Sequence, residues 1–380
     1  MSAPDVAGAI EQLDAVEARR RQLGGALLID VRDDDERALG MPDGAVGMPG
    51  ERLLREIAAL ASPERELLLI CAAGQRSLRA AQALRARGYR RIASVAGGFG
   101  RWLAAGLPVQ AGVLDADTQD RYARQLRLPL VGAAGQARLA ASRVALIGAG
   151  GLGSPAALYL AAAGVGTLTL IDDDRVERSN LHRQVLHADA RVGMAKVESA
   201  RMTLAALNPR ARIVTCAVRV DAASVETLLD GHDVMIDGAD NFPTRYLLAA
   251  ASLRLRLPLV YGAVERFSGQ VSVFDPRRAD SPGYRCLFPE PPASADAPNC
   301  AEAGVLGVLP GVIGLLQATE ALKLLLGIGT PLVGRLLLFD ALEMRFRELR
   351  LPRDAACPGC GADAHFNGYV DIAHRCSTDG

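Results

Sequence analysis

The chain opens on short apolar runs separated by stretches of helical period. ALLIDV at 26–31, ELLLIC at 66–71 and RIASVA at 91–96 are nearly continuous in apolar residues, the pattern of strands covered on both faces. SLRAAQALRARG at 77–88 repeats its apolar positions every three or four residues and stops at a glycine, which predicts a helix. Strands alternating with helices predict a small α/β unit with a parallel sheet over residues 1–112. VQAGVLDAD at 109–117 has no apolar period and predicts a linker.

Beyond it, the helical TQDRYARQLRLPL precedes RVALIG at 143–148, a glycine-rich GAGGLG, an alanine-rich helix at 154–163 and TLTLID at 167–172. That order is a βαβ unit. VMIDGAD at 234–240 and LPLVYGAV at 257–264 continue the alternation. Residues 113–380 are therefore expected to form a larger, doubly wound, Rossmann-like domain. The segment 276–300, dense in Pro, Ala, Ser and Asp, is too irregular for a core element, and loops of that length in compact domains are functional or mobile. The longest uncharged apolar run, 303–318, falls short of the ~20 residues of a membrane span. It holds Pro310 and several glycines. It predicts a buried helix, with Glu320 and Lys323 emerging after it and no membrane partner.

Composition narrows the classes. With 380 residues the chain has room for two or three domains at roughly 100 to 200 residues each. Its 43 basic and 43 acidic side chains cancel, and no basic face or tail is visible, which argues against nucleic acid as a partner. Only Lys196 and Lys323 are lysines, so a plain cation is otherwise written as Arg and each Lys is a candidate for chemistry. The first residues carry acids at Asp5 and Glu11 and lack a signal peptide's cationic and apolar segments. Seven cysteines, an odd number, fit a reducing compartment. A cytoplasmic protein is expected.

Cys71 ends an apolar run and is followed by AAGQRS, after which a helix begins. Loop amides and a helix start aim partial positive charge at such a sulfur, and Arg76 adds a full charge, so a reactive thiolate is expected. CAAGQRS, together with LLIDVRDDDERALGMPDGAVGMP before it and GGFGRWLAAGLPV after it, resembles the rhodanese sulfurtransferase domain over its whole length. The resemblance implies that Cys71 carries a persulfide. Four residues separate Cys71 from Arg76, where related phosphatases place five. Met41 departs from the histidine more usual in that family.

Gly148, Gly150, Gly151 and Gly153 in GAGGLG let backbone approach a nucleotide and aim helix amides at phosphate. Asp172, at the end of the next strand, is placed for a ribose. A nicotinamide-dependent oxidoreductase would share all of this and stands as an alternative, as does a sulfur-relay scaffold without nucleotide turnover. The cations Arg124, Arg183 and Lys196 exceed what dinucleotide binding needs and suit transfer at an α-phosphate, where charge is redistributed as pyrophosphate leaves. Asp240 is a candidate for a Mg²⁺ bridging those phosphates.

From RYARQ at 121–125 to the carboxy terminus the chain resembles the ubiquitin-activating-enzyme-like adenylyltransferases, specifically those that act on the sulfur carriers of molybdopterin synthase and of thiamine biosynthesis. The matching words are RYARQ, GAGGLGS, GVGTLTLIDDD, SNLHRQ, VGMAKVESA, DGADNFPTR, YRCLFP, CAEAGVLG and CPGC. The resemblance implies an enzyme that uses ATP and Mg²⁺ to adenylate the C-terminal glycine of a ubiquitin-like carrier ending in Gly-Gly. A rhodanese persulfide, loaded by a cysteine desulfurase or thiosulfate, would then make a thiocarboxylate. The molybdenum-cofactor carrier comes first and the thiamine carrier second, and no motif separates them. Asp172 would hold the ribose, with Asp174 and Asn241 also counted among the nucleotide-binding residues, and Asn180, Arg183 and Lys196 the phosphates. Asp240 would hold the metal. Arg124 would reach the other subunit's site in a homodimer. Cys300, in NCAEAGV, matches a second cysteine that bonds to the carrier.

The family's zinc site takes two C-x-x-C pairs. Cys357 and Cys360 form one, but Gly283 stands where Cys286 needs its partner, so three sulfur ligands remain where closed zinc sites take four. Cys376, His374 and His365 are candidates for the fourth, and weaker zinc binding is expected. Cys216 is expected in the core.

Overall fold

The computed structural model describes residues 9–112, 114–291 and 304–369. The chain divides into two compact units, Met1–Ala137 and Arg138–Gly380.

In the first unit five parallel strands lie in the order Glu11–Leu13, Ile92–Val95, Leu67–Ile70, Leu27–Asp30 and Val46–Gly47. Successive side chains of a strand point to opposite faces. Leu67 and Leu69 accordingly pack with Leu53, Ile57, Ala81 and Leu84 of two helices, while Leu68 and Ile70 pack with Ala18, Phe99 and Trp102 on the other side. Both faces are covered, which is why the central strand reads LLLI without a polar residue. The helix predicted at 77–88 is Gln75–Arg85.

Residues 109–117 are not a free linker. Val109–Ala111 is a strand paired antiparallel with Gly40–Pro42, and Gln119 donates to the Leu39 carbonyl at 3.1 Å. All three strand residues are exposed, so no burial pattern announces them; the pairing is made by the partner strand's backbone.

The second unit holds an eight-stranded sheet in the order Arg212–Cys216, Thr167–Ile171, Arg143–Ile147, Val234–Asp237, Leu259–Glu265, Ser268–Phe274, Arg335–Asp340 and Arg345–Arg350. The first five strands are parallel and the last three extend the sheet as an antiparallel meander, an extension the doubly wound expectation lacks. From Arg143–Ile147 the chain winds outward through Thr167–Ile171 and Arg212–Cys216, then returns to Val234–Asp237 on the other side. This reversal opens a crevice at the carboxyl ends of the two middle strands.

The helix Val308–Leu326 realises the apolar run. Among the described residues it is the one helix with the length and apolarity of a membrane span, and half of that stretch is buried inside the unit. Glu320 does not emerge from it. The side chain is only 5 % exposed, accepts from the Leu332 amide at 2.8 Å and pairs with Lys323. A buried carboxylate is tolerated because both partners compensate it.

Candidate active sites

Cys71 sits directly after the strand Leu67–Ile70, and three residues separate it from the helix Gln75–Arg85. Gly74 adopts φ 94°, and a side chain there would press on the Gly97 amide at 3.0 Å. The GGFG segment closes the loop from outside, with Phe99 N donating to Cys71 O at 2.7 Å and Gly100 N to Ala72 O at 3.2 Å. The buried sulfur accepts from the Gly74 amide at 3.1 Å and the Ser77 hydroxyl at 3.3 Å. Burial pushes this thiol up, but the hydroxyl and the amides of Ser77, Ala73 and Gly74 outweigh it and hold the thiol below its ordinary value. Arg76 turns its guanidinium to Glu36, at 2.7 Å on both oxygens, and to Asp33 at 3.3 Å. The sulfur's hydrogen bonds thus come from the loop and Ser77.

In the second unit the glycine loop leaves the strand Arg143–Ile147 and enters the helix Gly153–Ala163. Gly148 has φ 96°, and a Cβ there would meet the Gly238 carbonyl at 2.6 Å; a Cβ on Gly153 would collide with the Gly148 carbonyl. These close approaches bring the DGADN segment against the loop. Asp172 bridges it: Oδ2 accepts from Ala149 N at 2.7 Å and Oδ1 from Asp174 N at 2.9 Å. Burial raises its pKa against the pull of Lys196 and these amides.

Lys196 begins the helix Lys196–Leu207, is 5 % exposed, and places Nζ 2.6 Å from Asp174 Oδ2. Arg183 lies against Gly151, its Cδ 3.7 Å from where a side chain there would begin, and its Nη1 is 3.4 Å from His182 Nε2. Gln184 reaches Gly150 in the same way, with Nε2 at 3.4 Å, and its buried Oε1 has no hydrogen-bond partner among the described residues. Asn180 is half-buried and donates to Glu177 at 3.2 Å. The loop glycines, Asp172, Asp174, Arg183 and Lys196 are thus brought together. Asp240 and Asn241 follow the adjacent strand, Asp240 exposed and accepting from Asn241 Nδ2 at 3.3 Å. Asp240 and Arg245 line a cavity of about 550 Å³. Beneath it Asp237 is fully buried 3.6 Å from Arg245 Nε, its carboxyl pushed up to about 6 by burial. Arg124, exposed, belongs to the first unit beside the turn Gln125–Arg127. Cys300 and the candidate zinc ligands His374 and Cys376 lie outside the described residues.

The sequence reading missed His187. This buried imidazole donates from Nε2 to the Ala149 carbonyl at 2.9 Å, because a carbonyl only accepts, so neutral Nδ1 accepts from Ser199 Oγ at 3.0 Å. It ties the Lys196 helix to the glycine loop. Burial, with Lys196 and Arg191 nearby, lowers its pKa and keeps it neutral. Its signal, a lone His in VLHAD, has no local pattern.

Cys286, Cys357 and Cys360 gather with their sulfurs within 4.8 Å of one another, Cys286 and Cys360 at 3.4 Å. Burial raises Cys357, but the amides of Gly359 and Cys360 and the two neighbouring thiols hold it low, whereas burial and the other two sulfurs push Cys360 up to about 12. A side chain begun at Gly283 would stand 3.2 Å from Cys360 Sγ. Among the described residues the donor set supplies three of the four ligands of a closed zinc site, with this glycine at the fourth position. His365 is exposed and outside the cluster. Cys216 is half-buried against the core.

Comparison with known proteins places both units. The ThiF family model matches residues 122–359 and the rhodanese-like domain residues 13–105. A sulfur carrier protein adenylyltransferase of Thermus thermophilus is 50% identical over 260 residues, 68% of this chain and 96% of that protein. The probable adenylyltransferase/sulfurtransferase MoeZ of Mycobacterium tuberculosis is 46% identical over 250 residues, 65% of this chain and 64% of its own length. Escherichia coli MccB, solved with ATP, shares the fold at TM-score 0.56 and 20% identity, covering 66% of this chain and 75% of that one. The chain belongs to the ThiF family and is an adenylyltransferase that carries a rhodanese-like sulfurtransferase domain ahead of its adenylation domain.

Proposed function

We propose that this enzyme uses ATP to adenylate the C-terminal glycine of a ubiquitin-like sulfur carrier and then converts the acyl-adenylate to a thiocarboxylate with sulfur from Cys71. The observation that carries this reading is Lys196: one of two lysines in the chain, buried, and paired to Asp174 beside the glycine loop. A carboxylate is a poor electrophile until one oxygen becomes a good leaving group. Its attack on the α-phosphorus expels pyrophosphate, and Lys196 and Arg183 stabilise the charge that develops. Asp172 holds the ribose, Asn180 the phosphates, and the loop amides the remaining oxygens. Asp240, with Asn241 beside it, would hold Mg²⁺, which neutralises the leaving phosphates.

The terminal sulfur of a Cys71 persulfide then attacks the activated carbonyl, AMP leaves, and an acyl-disulfide forms. A second thiol, assigned to Cys300, attacks the Cys71 sulfur of that disulfide, so the thiocarboxylate leaves and a Cys71–Cys300 disulfide forms, which an external dithiol reduces before the next turnover; alternatively Cys300 takes the carrier first as a thioester. The molybdenum-cofactor carrier is the preferred substrate and the thiamine carrier the second, with a cysteine desulfurase or thiosulfate as donor. Arg124 acts across a homodimer in the cytoplasm, and the three thiols hold zinc weakly. The test is ATP–pyrophosphate exchange, expected only with a carrier ending in Gly-Gly; exchange driven by free amino acids would overturn the reading.

A further inference from the structure

Ser94 is a polar residue in the middle of an apolar strand, Ile92–Val95, and is 1 % exposed. Buried hydroxyls need partners. Ser94 Oγ donates to Ser77 Oγ at 2.9 Å, and Ser77 is fully buried as well. Ser77 has one proton and faces two acceptors, Cys71 Sγ at 3.3 Å and the Gly74 carbonyl at 3.0 Å. The amides around the sulfur are fixed by backbone; this hydroxyl is the donor that can turn.

We propose that Ser94 is a positioning residue for sulfur transfer: by donating to Ser77 it keeps that hydroxyl's single proton shared between Gly74 O and Cys71 Sγ, ready to follow the charge on the sulfur. A neutral sulfur is a weak acceptor, so the proton rests on the carbonyl. A thiolate makes a charge-assisted bond about twice as strong as a neutral one, so the proton turns to it. Once the outer sulfur of a persulfide carries the negative charge, the proton returns to Gly74. Donation from Ser94 polarises the Ser77 O–H and strengthens whichever bond it makes. The inference rests on Cys71 as the sulfur carrier.

The experiment measures Cys71 alkylation by iodoacetamide against pH in the reduced full-length chain, with the Cys71 peptide quantified by mass spectrometry. It needs neither donor nor carrier, so a failed positioning role and a failed sulfur-transfer reading give different results. Ser77→Ala should raise the midpoint by about one pH unit, the scale for losing a hydrogen bond to a charged group, and Ser94→Ala by about half as much. Ser94→Thr should restore the wild-type midpoint, and the double variant should match Ser77→Ala alone. A folded Ser94→Ala protein with the wild-type profile, or a double variant whose shift equals the sum, would overturn the proposal. Should Ser94→Ala not fold, Ser94→Cys supplies a weaker donor: an intermediate midpoint supports the role and an unchanged one removes it.

Discussion

Lys196 Nζ stands 2.6 Å from Asp174 Oδ2, and the Lys196 amide donates to the Asp174 carbonyl at 2.9 Å. The helix that presents the cation is therefore pinned at its first residue to the segment carrying Asp172. Lys196→Ala should lower carrier adenylation on the order of 10², the scale for losing one preorganised electrostatic partner of a transition state. Asp174→Asn should cost less and act mainly on the KM for ATP, because the backbone bond remains. Steady-state kinetics of both variants check this; a near-wild-type rate for Lys196→Ala would mean that the phosphate site is misassigned.

Gly283 has extended backbone that any residue adopts, φ −95° and ψ 169°. A cysteine there would start 3.2 Å from Cys360 Sγ and complete a four-sulfur site. Metal analysis of the purified protein should find zinc below one equivalent per chain, and Gly283→Cys should raise it toward a full equivalent. A full equivalent in the unaltered chain would point to a fourth ligand elsewhere.

His187 is buried and His232 half-buried, and both have lowered pKa, desolvation being the main cause in each. The unfolded chain titrates its histidines near the ordinary 6.5, so between the two values the unfolded state binds more protons. Stability from these residues is full above the unfolded value and is lost as pH falls through the window toward the folded one. Thermal melts should show Tm falling as pH is lowered below the ordinary histidine value of 6.5, and His187→Gln/His232→Gln should flatten that dependence. An equal fall in the double variant would place the effect in other groups.

How much of this was legible in the sequence follows from what each residue answers to. Gly148, Gly153 and Asp172 answer to a local demand, a positive φ, a close approach or a strand end, and such demands leave a fixed spacing in the chain. Cys71 is legible for the same reason. His187 and Ser94 act across 38 and 17 residues of sequence, and nothing in their neighbourhoods records it. The strand Val109–Ala111 and the outermost meander strand Arg345–Arg350 are exposed at every residue, so they carry no apolar period of their own and are specified by the strands they pair with. Glu320 was expected in solvent, since a partner amide twelve residues away, at Leu332, cannot be read from a helical repeat.

The most direct measurement is the intact mass of a Gly-Gly-ending carrier after incubation with the enzyme and ATP·Mg²⁺, with and without a persulfide or thiosulfate donor. The account predicts a carrier adenylate without donor, a carrier thiocarboxylate with it, and a reaction that stops at the adenylate in Cys71→Ala. No adenylate on any such carrier would contradict the adenylation site; full thiocarboxylate from Cys71→Ala would contradict the sulfur relay through the rhodanese-like domain.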